Sequence, residues 1–434
     1  MTINKEIFKI AIPNIIANIS IPLLGIVDTA LMGRMDDPAY IGAIALGGIV
    51  FNILYWGLGF LRPGTTGLTA QSYGRNDFQE CYRILYRSLT IGIVFGLVIL
   101  ILYKPIGSLA FSILSGSDKV EALALQYFSI RILAAPAVIS VIALRGWFFG
   151  MQDAISPMIL TIGANALNIF ISWYLVIHQG LGVKGVAIGT MAAQWITFFI
   201  AAGIILYKYR KDILKYFDRA IFKAKEMKRY VSVNRDMFIR NMGLILVFSF
   251  FTNHSSKVGD EYLAINQMLL QLFYFMSYAV DGFAYASESL VGKYLGSSAY
   301  AKVKIVIKNC LYFGLGFGGL FMIAYLFGGE IILRVFTNNM DLINQAQPYF
   351  FWLAMVAISG ALAFIWDGVF SGAAASKELR DSMLFSTVIF FLAFYISQLY
   401  FPFLAIWIGM VSFMLARSFI QIWYYRNKIL PTWS

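Results

Sequence analysis

A single acidic side chain lies in the first long apolar stretch of the sequence, residues 7–33. On a helix through that stretch, Asp28 lies close to the face that carries Asn14, Asn18 and Gly25. A carboxyl group in apolar surroundings can hold a proton near neutral pH, because burial penalises its charged form, and can release it when water or a cation arrives. That is the chemistry of ion-coupled transport. The alternative is a buried acid that caps a neighbouring helix.

Three other apolar stretches carry polar side chains at helical spacing, so that each set lies on one helix face. The shortest set is Asn165, Asn168 and Ser172. The two longer sets are stripes, one of Asn52, Tyr55, Gly59, Arg62, Thr66, Thr69 and Tyr73, the other of Gln267, Gln271, Tyr274, Tyr278, Asp281, Tyr285 and Glu288. Hydrogen-bonded packing between helices would explain any one of these residues. Two full-length stripes favour a hydrated interior cavity.

The composition indicates that the elements carrying these residues lie in a lipid bilayer. Of 434 residues, 60% are hydrophobic and 13% are charged, about half of the roughly 25% that is typical of soluble domains. The net charge of +12 does not indicate nucleic acid, because half of the excess is concentrated in one segment. Residues 208–229 hold nine basic and three acidic side chains between two apolar stretches.

Twelve stretches are long enough to cross a bilayer, which takes about 20 apolar residues. They are residues 7–33, 41–71, 84–103, 122–150, 157–177, 183–207, 231–252, 262–292, 305–327, 349–372, 383–401 and 403–425. With the N-terminus in the cytoplasm, the inside segments carry 22 Lys and Arg residues and the outside segments carry six. This is the positive-inside bias, and it predicts that both termini are cytoplasmic.

The basic segment divides the chain into two predicted halves. Residues 1–207 form an N-lobe of six spans, residues 208–230 a basic cytoplasmic loop between the lobes, and residues 231–434 a C-lobe of six spans. Because six is even, the two lobes have the same orientation, as in a parallel repeat. Residues 145–150 (RGWFFG) end the fourth span and residues 367–372 (DGVFSG) end the tenth, which supports the repeat. The predicted fold class is therefore an all-α polytopic membrane protein with two pseudo-symmetric six-helix lobes.

Several segments along the chain resemble those of one transporter family. They are residues 22–33 (PLLGIVDTALMG) preceded by Pro13, residues 62–67 (RPGTTG), 146–153 (GWFFGMQD), 182–190 (GVKGVAIGT) and 234–240 (NRDMFIR). Their order and spacing are similar to those of the multidrug and toxic compound extrusion (MATE) transporters, DinF-like branch. The resemblance covers essentially the whole chain. It implies cation-coupled antiport, in which amphipathic, often cationic compounds are expelled in exchange for H⁺ or Na⁺.

The resemblance also implies roles for individual residues. Asp28 matches the acid of the first helix that is tied to coupling in the N-lobe. Asn168 and Thr190 match polar partners of that acid on the fifth and sixth helices. Pro13 matches the proline associated with bending of the first helix, and Pro22 offers a second point of bending. No resident cofactor is implied.

Ser172 departs from the family pattern, which often has a second aspartate at this position. A sodium ion prefers several oxygen ligands with carboxylate charge, and this site has lost one charge. Asp28 could still be joined by neutral oxygens from Asn168, Ser172 and Thr190, with Asn165 in the same patch. We therefore favour H⁺ as the coupling ion, with Na⁺ bound at Asp28 as the alternative and no other metal site.

The remaining polar residues of the spans are candidates for lining a substrate cavity. They are Tyr55, Arg62, Tyr278, Asp281, Tyr285, Glu288 and Asp367. The C-lobe acids have no assigned coupling role in this branch, and we expect Arg240 or another arginine to pair with one of them. Protonation of Asp28 is then the expected coupling step of alternating access.

Two other classes of function fit the chain less well. A flippase for lipid-linked oligosaccharide would need a strongly cationic cavity, whereas here acids match the arginines. An intramembrane enzyme would need a concentrated acidic metal-binding motif, and the nearest candidate, Asp36 and Asp37, precedes Pro38 in a predicted outside turn. We expect a monomeric transporter, not an enzyme, in the inner membrane of a bacterial cell. Its partners would be the bilayer and amphipathic small molecules, without nucleic acid.

Overall fold

The computed structural model describes residues 2–33, 37–114, 116–213, 215–216 and 219–433, and within these ranges the chain is helical and has no β-strand. Of the segments singled out above, Asp36 and positions 214, 217 and 218 of the basic loop lie outside the described residues. The α-helices in the described ranges are α1 Ile3–Met32, α2 Ala39–Leu58, α3 Leu61–Gly74, α4 Phe78–Ile101, α5 Tyr103–Ile113, α6 Asp118–Arg131, α7 Ala135–Gly150, α8 Ile155–Trp173, α9 Gly182–Ile213, α10 Ala224–Val258, α11 Asp260–Gly296, α12 Tyr300–Leu333, α13 Met340–Gly372, α14 Ser376–Gln398 and α15 Ala405–Tyr424.

Each predicted span coincides with helical structure. In lipid the backbone N–H and C=O groups cannot bond to water, and an α-helix satisfies them with hydrogen bonds inside the segment. Eleven helical segments of the described chain are long and apolar enough to cross a membrane. The second of them combines α2 with α3, and the fourth combines α6 with α7. The predicted span 231–252 lies within α10, which has 35 residues but a more polar sequence. The predicted fold class is confirmed. Among the helices that contain a predicted span, α10 has the composition that least indicates a membrane-spanning segment.

Two details of the helices differ from the sequence-based expectation. The short helix α5, with 11 residues, was not predicted, because it is shorter than a span and is not separated from α4 by a polar loop. The last predicted boundary, near Pro402, becomes a gap between the end of α14 at Gln398 and the start of α15 at Ala405.

The helices form two compact units. One contains residues 16–72 and 77–231, and the other contains residues 1–15, 73–76 and 232–434. The first helix is shared, because residues 3–15 pack in the second unit. There Lys293 Nζ donates to Glu6 Oε2 at 2.8 Å, and Tyr294 OH donates to the same oxygen at 2.9 Å. The predicted lobe limits at 207/208 and 230/231 stay a prediction, and the names N-lobe and C-lobe are kept below for the units dominated by residues 16–231 and 232–434.

Backbone geometry repeats between the two units at a constant interval. Non-glycine residues with positive φ occur at Asn76 (58°) and Gln152 (63°), and again at Ser298 (55°) and Ala374 (53°). Both pairs are 222 residues apart (298 − 76 and 374 − 152). Left-handed backbone is uncommon for residues other than glycine, so four such residues in two matched pairs indicate a structural repeat.

The two similar hexapeptides occupy matching places in that repeat. A Cβ added at Gly146 would overlap the carbonyl oxygen of Arg62 in α3, and one added at Gly368 would overlap the carbonyl oxygen of Ala284 in α11. Each glycine therefore allows close contact between a helix that ends in the hexapeptide and the helix that carries the polar stripe.

Candidate functional site

Asp28 lies near the C-terminal end of α1, and its side chain is partly buried. Its Oδ1 atom is buried and has no hydrogen-bond partner among the described residues. The guanidinium group of Arg131, at the end of α6, is close enough for its charge to act on this carboxyl group. A buried acceptor without a partner is rare in folded proteins and is expensive unless it binds something. Asp28 is therefore suited to take up a proton or a cation.

Arg131 was not predicted as part of this site, and its own contacts are well defined. Nη1 donates to Tyr127 OH at 2.6 Å, and the guanidinium carbon lies 4.4 Å from the centre of the Phe51 ring. The hydroxyl oxygen of Tyr55, one turn after Phe51 on α2, is buried without a hydrogen-bond partner in the described chain. A charge within the predicted span 122–150 was visible in the sequence, but its proximity to Asp28 depends on how α1 and α6 pack.

Three of the predicted coupling residues form one buried network between α8 and α9. Asn168 Nδ2 donates to Thr190 Oγ1 at 2.8 Å, and Ser172 Oγ donates to Asn168 Oδ1 at 3.3 Å. Thr190 Oγ1 in turn donates to the carbonyl oxygen of Val186 at 2.9 Å. Within the described residues, no hydrogen bond joins this network to Asp28 Oδ1.

Asn165 connects a different pair of helices. Its Nδ2 donates to the carbonyl oxygen of Ser20 at 3.1 Å and to Ser20 Oγ at 2.9 Å. This residue therefore holds α8 against α1 near the middle of that helix. Both Pro13 and Pro22 lie inside α1, which continues as an α-helix from Ile3 to Met32.

Most residues of the predicted stripe of α11 are at least partly exposed. Tyr278, Asp281 and Tyr285 are partly exposed, whereas the flanking residues of the helix are buried, including Val280 and Phe283. Glu288, at the end of the stripe, is only 2% exposed. On the corresponding stripe of α2 and α3, Tyr55 and Arg62 are also partly exposed.

Asp367 is the best-connected acid of the C-lobe. Its Oδ2 accepts a hydrogen bond from Arg417 Nη2 at 2.5 Å and another from Arg240 Nη2, and its Oδ1 accepts from Gln421 Nε2 at 2.6 Å. Arg417 and Gln421 are fully buried. Neither was predicted, although a single arginine inside the apolar span 403–425 was a signal that could have been followed.

A second charged cluster of the C-lobe joins α10 to the start of α14. Arg380 Nη1 donates to Asp236 Oδ1 at 2.8 Å, and Arg235 Nη2 lies 3.3 Å from the same oxygen. Arg380 Nη2 also binds Asp381 at 2.7 Å. Two arginines thus meet two aspartates in this cluster.

Asp153 anchors the turn between α7 and α8, outside the membrane-spanning segments. Its Oδ2 accepts from Lys208 Nζ at 2.8 Å and from Ser156 Oγ at 2.6 Å. Burial tends to raise the pKa of Asp153, but the hydrogen bonds from Lys208 and Ser156 outweigh it, so the pKa lies below the ordinary value.

Comparison with known proteins gives one consistent family. The family description MatE matches residues 13–174 and residues 237–399, one stretch in each half of the chain. DNA damage-inducible protein F of Escherichia coli is 34% identical over 437 residues, an alignment that covers 98% of this chain and 93% of that protein. A probable multidrug resistance protein NorM of Thermotoga maritima is 24% identical and covers 98% and 92%.

Solved structures agree with the fold. A multidrug resistance MATE family transporter of the MOP superfamily, in an outward-facing conformation, superposes with a TM-score of 0.89. The two proteins are 18% identical, and the match covers 99% of this chain and 97% of that chain. The family match over most of the chain and the similarity to the E. coli protein show that this polytopic membrane protein belongs to the MatE (MATE) family of transporters.

Proposed function

We propose that this chain expels amphipathic organic cations from a bacterial cell by antiport with protons. It would do so as a monomer in the inner membrane, with both termini in the cytoplasm. In this mechanism, Asp28 binds a proton from outside, the first helix changes its packing, and substrate leaves outward. The relatives named for multidrug resistance support the substrate class.

The observation that carries the proposal is the state of the Asp28 carboxyl group. One of its oxygens is buried without a partner, so the ionised form lacks the hydrogen bonds that would stabilise it permanently. Such a group can alternate between the charged and neutral forms when its hydration changes. An acid fixed in an ion pair, such as Asp367, could not alternate as readily.

Two features favour H⁺ over Na⁺ as the coupling ion. The neutral oxygens of Asn168, Ser172 and Thr190 are engaged with one another, and Ser172 brings no charge to the site. The positive charge of Arg131 acts on Asp28 and opposes a proton and a sodium ion alike, so it does not distinguish the two ions. A proton needs only the carboxyl group, whereas a hard metal cation needs several oxygen ligands.

The test is efflux of ethidium from proteoliposomes that contain the full-length protein, with an imposed H⁺ or Na⁺ gradient. The wild type is compared with Asp28→Asn, which keeps the shape of the side chain but cannot change its charge. Asp341→Asn, in the exposed first turn of α13, is the matched control. We expect proton-driven efflux by the wild type and the control, and none by Asp28→Asn.

Each other outcome changes a particular part of the proposal. Unchanged proton-driven efflux by a well-folded Asp28→Asn protein would remove Asp28 from the mechanism. Efflux driven only by sodium would replace H⁺ with Na⁺ at this site. Absence of ethidium efflux under either gradient would contradict multidrug export and favour a lipid-linked or narrow endogenous substrate.

A further inference from the structure

The basic segment that follows α9, residues 208–229, is folded against α4. The hydroxyl group of Tyr86 on α4 donates to the carbonyl oxygen of Ile213 at 2.8 Å, and Arg87 Nε donates to the carbonyl oxygen of Ile221 at 2.7 Å. The side chains of both isoleucines are buried. The segment is therefore anchored to the helices at two points and has an inner side and an outer side.

The outer side of the segment is strongly basic. Nine basic side chains of the segment meet its own three acids and Asp153, which binds Lys208, so positive charge exceeds negative charge by five (9 − 4) even when all four acids are ionised. Seven of the basic side chains are exposed and form no ion pair with a described residue. These seven, called the basic face below, are Arg210, Lys211, Lys215, Lys223, Lys225, Lys228 and Arg229.

The basic face begins where α9 reaches the edge of the membrane. Leu206 and Tyr207 of α9 are 56% and 89% exposed, as expected for side chains that face lipid and its interface with water. The backbone of Tyr209 is not helical, with φ −122° and ψ 16°, so the chain changes direction directly after these two residues. Arg210 and Lys211 follow within about one helical turn, which places them near the lipid headgroups.

An aromatic side chain is exposed within the basic segment. Phe222 is 57% exposed, although the preceding residue, Ile221, is buried. Aromatic rings are enriched at membrane–water interfaces, where basic side chains beside them meet the headgroups. A nucleic acid or an acidic protein would complement the charge of the basic face, but neither would account for Leu206 and Tyr207 beside it. The combination of charge and apolar side chains favours a lipid surface.

We propose that the basic face binds the phosphate groups of anionic phospholipids, with the ring of Phe222 inserted at the level where headgroups meet acyl chains. A cluster of about four to eight basic residues next to a membrane-spanning helix is sufficient for such binding. This partner goes beyond the proposed export function, because its binding depends on neither the substrate nor the coupling ion. The anchors on α4 hold the basic face against the membrane surface.

The test is lipid binding by the purified full-length protein, measured by native mass spectrometry with dioleoylphosphatidylglycerol and dioleoylphosphatidylcholine. The two lipids have the same acyl chains, but only the first has a net negative charge. We expect the wild type to bind phosphatidylglycerol at least about tenfold more tightly, because each basic residue near an anionic surface contributes a factor of about five. Combining Lys223→Gln, Lys225→Gln and Lys228→Gln should reduce this preference to about threefold or less.

The matched control combines Lys104→Gln, Lys184→Gln and Lys257→Gln. These three lysines are also exposed, and they lie in predicted outside segments, so the change in net charge is the same. The control should keep the preference of the wild type. An equal loss in both triple variants would mean that net charge alone selects the lipid, and it would overturn the proposal. An unchanged preference in the variant of the basic face would overturn it as well.

Limited digestion with trypsin, which cleaves after lysine and arginine, locates the bound lipid. Phosphatidylglycerol should slow cleavage within residues 208–229 severalfold, phosphatidylcholine should not, and Phe222→Ser should weaken the protection. Glycerol phosphate, which has the phosphate ester without acyl chains, should give no protection. Equal protection by glycerol phosphate would indicate a site for free phosphate esters, and equal cleavage with both lipids would show that the segment does not bind the headgroup. Either result would overturn the assignment to anionic lipid.

Discussion

Asp28 and Asp367 both lie on membrane-spanning helices, but their carboxyl groups have different neighbours. Asp28 has a buried oxygen with no hydrogen-bond partner in the described chain, and Asp367 is held by two arginines and a glutamine. The first arrangement leaves the protonation state open, and the second stabilises the ionised form. At the scale of single residues, the chemistry follows from these neighbours more than from the residue type.

Asp153 provides a pH-dependent contribution to stability at the same scale. Because its pKa is lowered in the folded protein, its contribution is present above the pKa of the unfolded chain, about 3.9, and is lost as pH falls through the folded value. We expect Asp153→Asn to reduce the free energy of unfolding by about 1–2 kcal/mol at about pH 7 and by much less at about pH 3.

Thermal unfolding in detergent at the two pH values measures this difference. Asp341→Asn removes an exposed acid and should change neither value. An Asp153→Asn protein that unfolds at the wild-type temperature at about pH 7 would show that Lys208 and Ser156 do not stabilise the turn through this carboxylate.

At the scale of helices, the glycines of the two hexapeptides allow pairs of helices to pack closely. Gly146 of α7 faces the backbone of α3, and Gly368 of α13 faces the backbone of α11. We expect Gly146→Ala to lower the free energy of unfolding by about 1–3 kcal/mol, because the added methyl group must push two helices apart. Gly163→Ala in α8 is the control, since its Cβ would enter open space and alanine has the higher helix propensity.

The two glycine variants are compared by melting temperature in the same detergent. Gly163→Ala should melt at or above the wild-type temperature, and Gly146→Ala should melt below it. Equal melting of the two variants would mean that α3 and α7 can separate without cost. Sequence similarity alone marked residues 145–150 and 367–372 as related, but the close backbone contact that requires the glycines depends on tertiary packing.

The helices were predictable from the sequence because a stretch of about 20 apolar residues is long enough to cross a bilayer as an α-helix. The same reasoning missed α5, which is too short to span, and it gave only a weak signal for α10, whose polar residues include Arg240. The site was predictable in part. Asp28 and Asn168 were identified by type and spacing, whereas the proximity of Arg131 to Asp28 and of Arg417 to Asp367 arises from helices distant in sequence.

At the scale of the whole molecule, the backbone repeats but the chemistry does not. At the 222-residue interval, Arg145 beside Gly146 corresponds to Asp367 beside Gly368. The acid with an open carboxyl oxygen is therefore found in one half, and the arginine-bound acid is found in the other. The two halves share helix ends and glycine contacts, but each has its own polar side chains.

This division of chemistry predicts that the same substitution changes stability by very different amounts in the two halves. Asp367→Asn leaves the buried Arg417 without its counter-charge, and we expect it to lower the free energy of unfolding by about 3–5 kcal/mol. Asp28→Asn removes a carboxyl group that lacks a partner at one oxygen, and we expect a change within about 1 kcal/mol. Denaturant unfolding of both variants in one detergent gives the comparison. If Asp28→Asn were the more destabilised, Asp28 would have a structural role, and the separation of coupling from architecture between the two halves would be wrong.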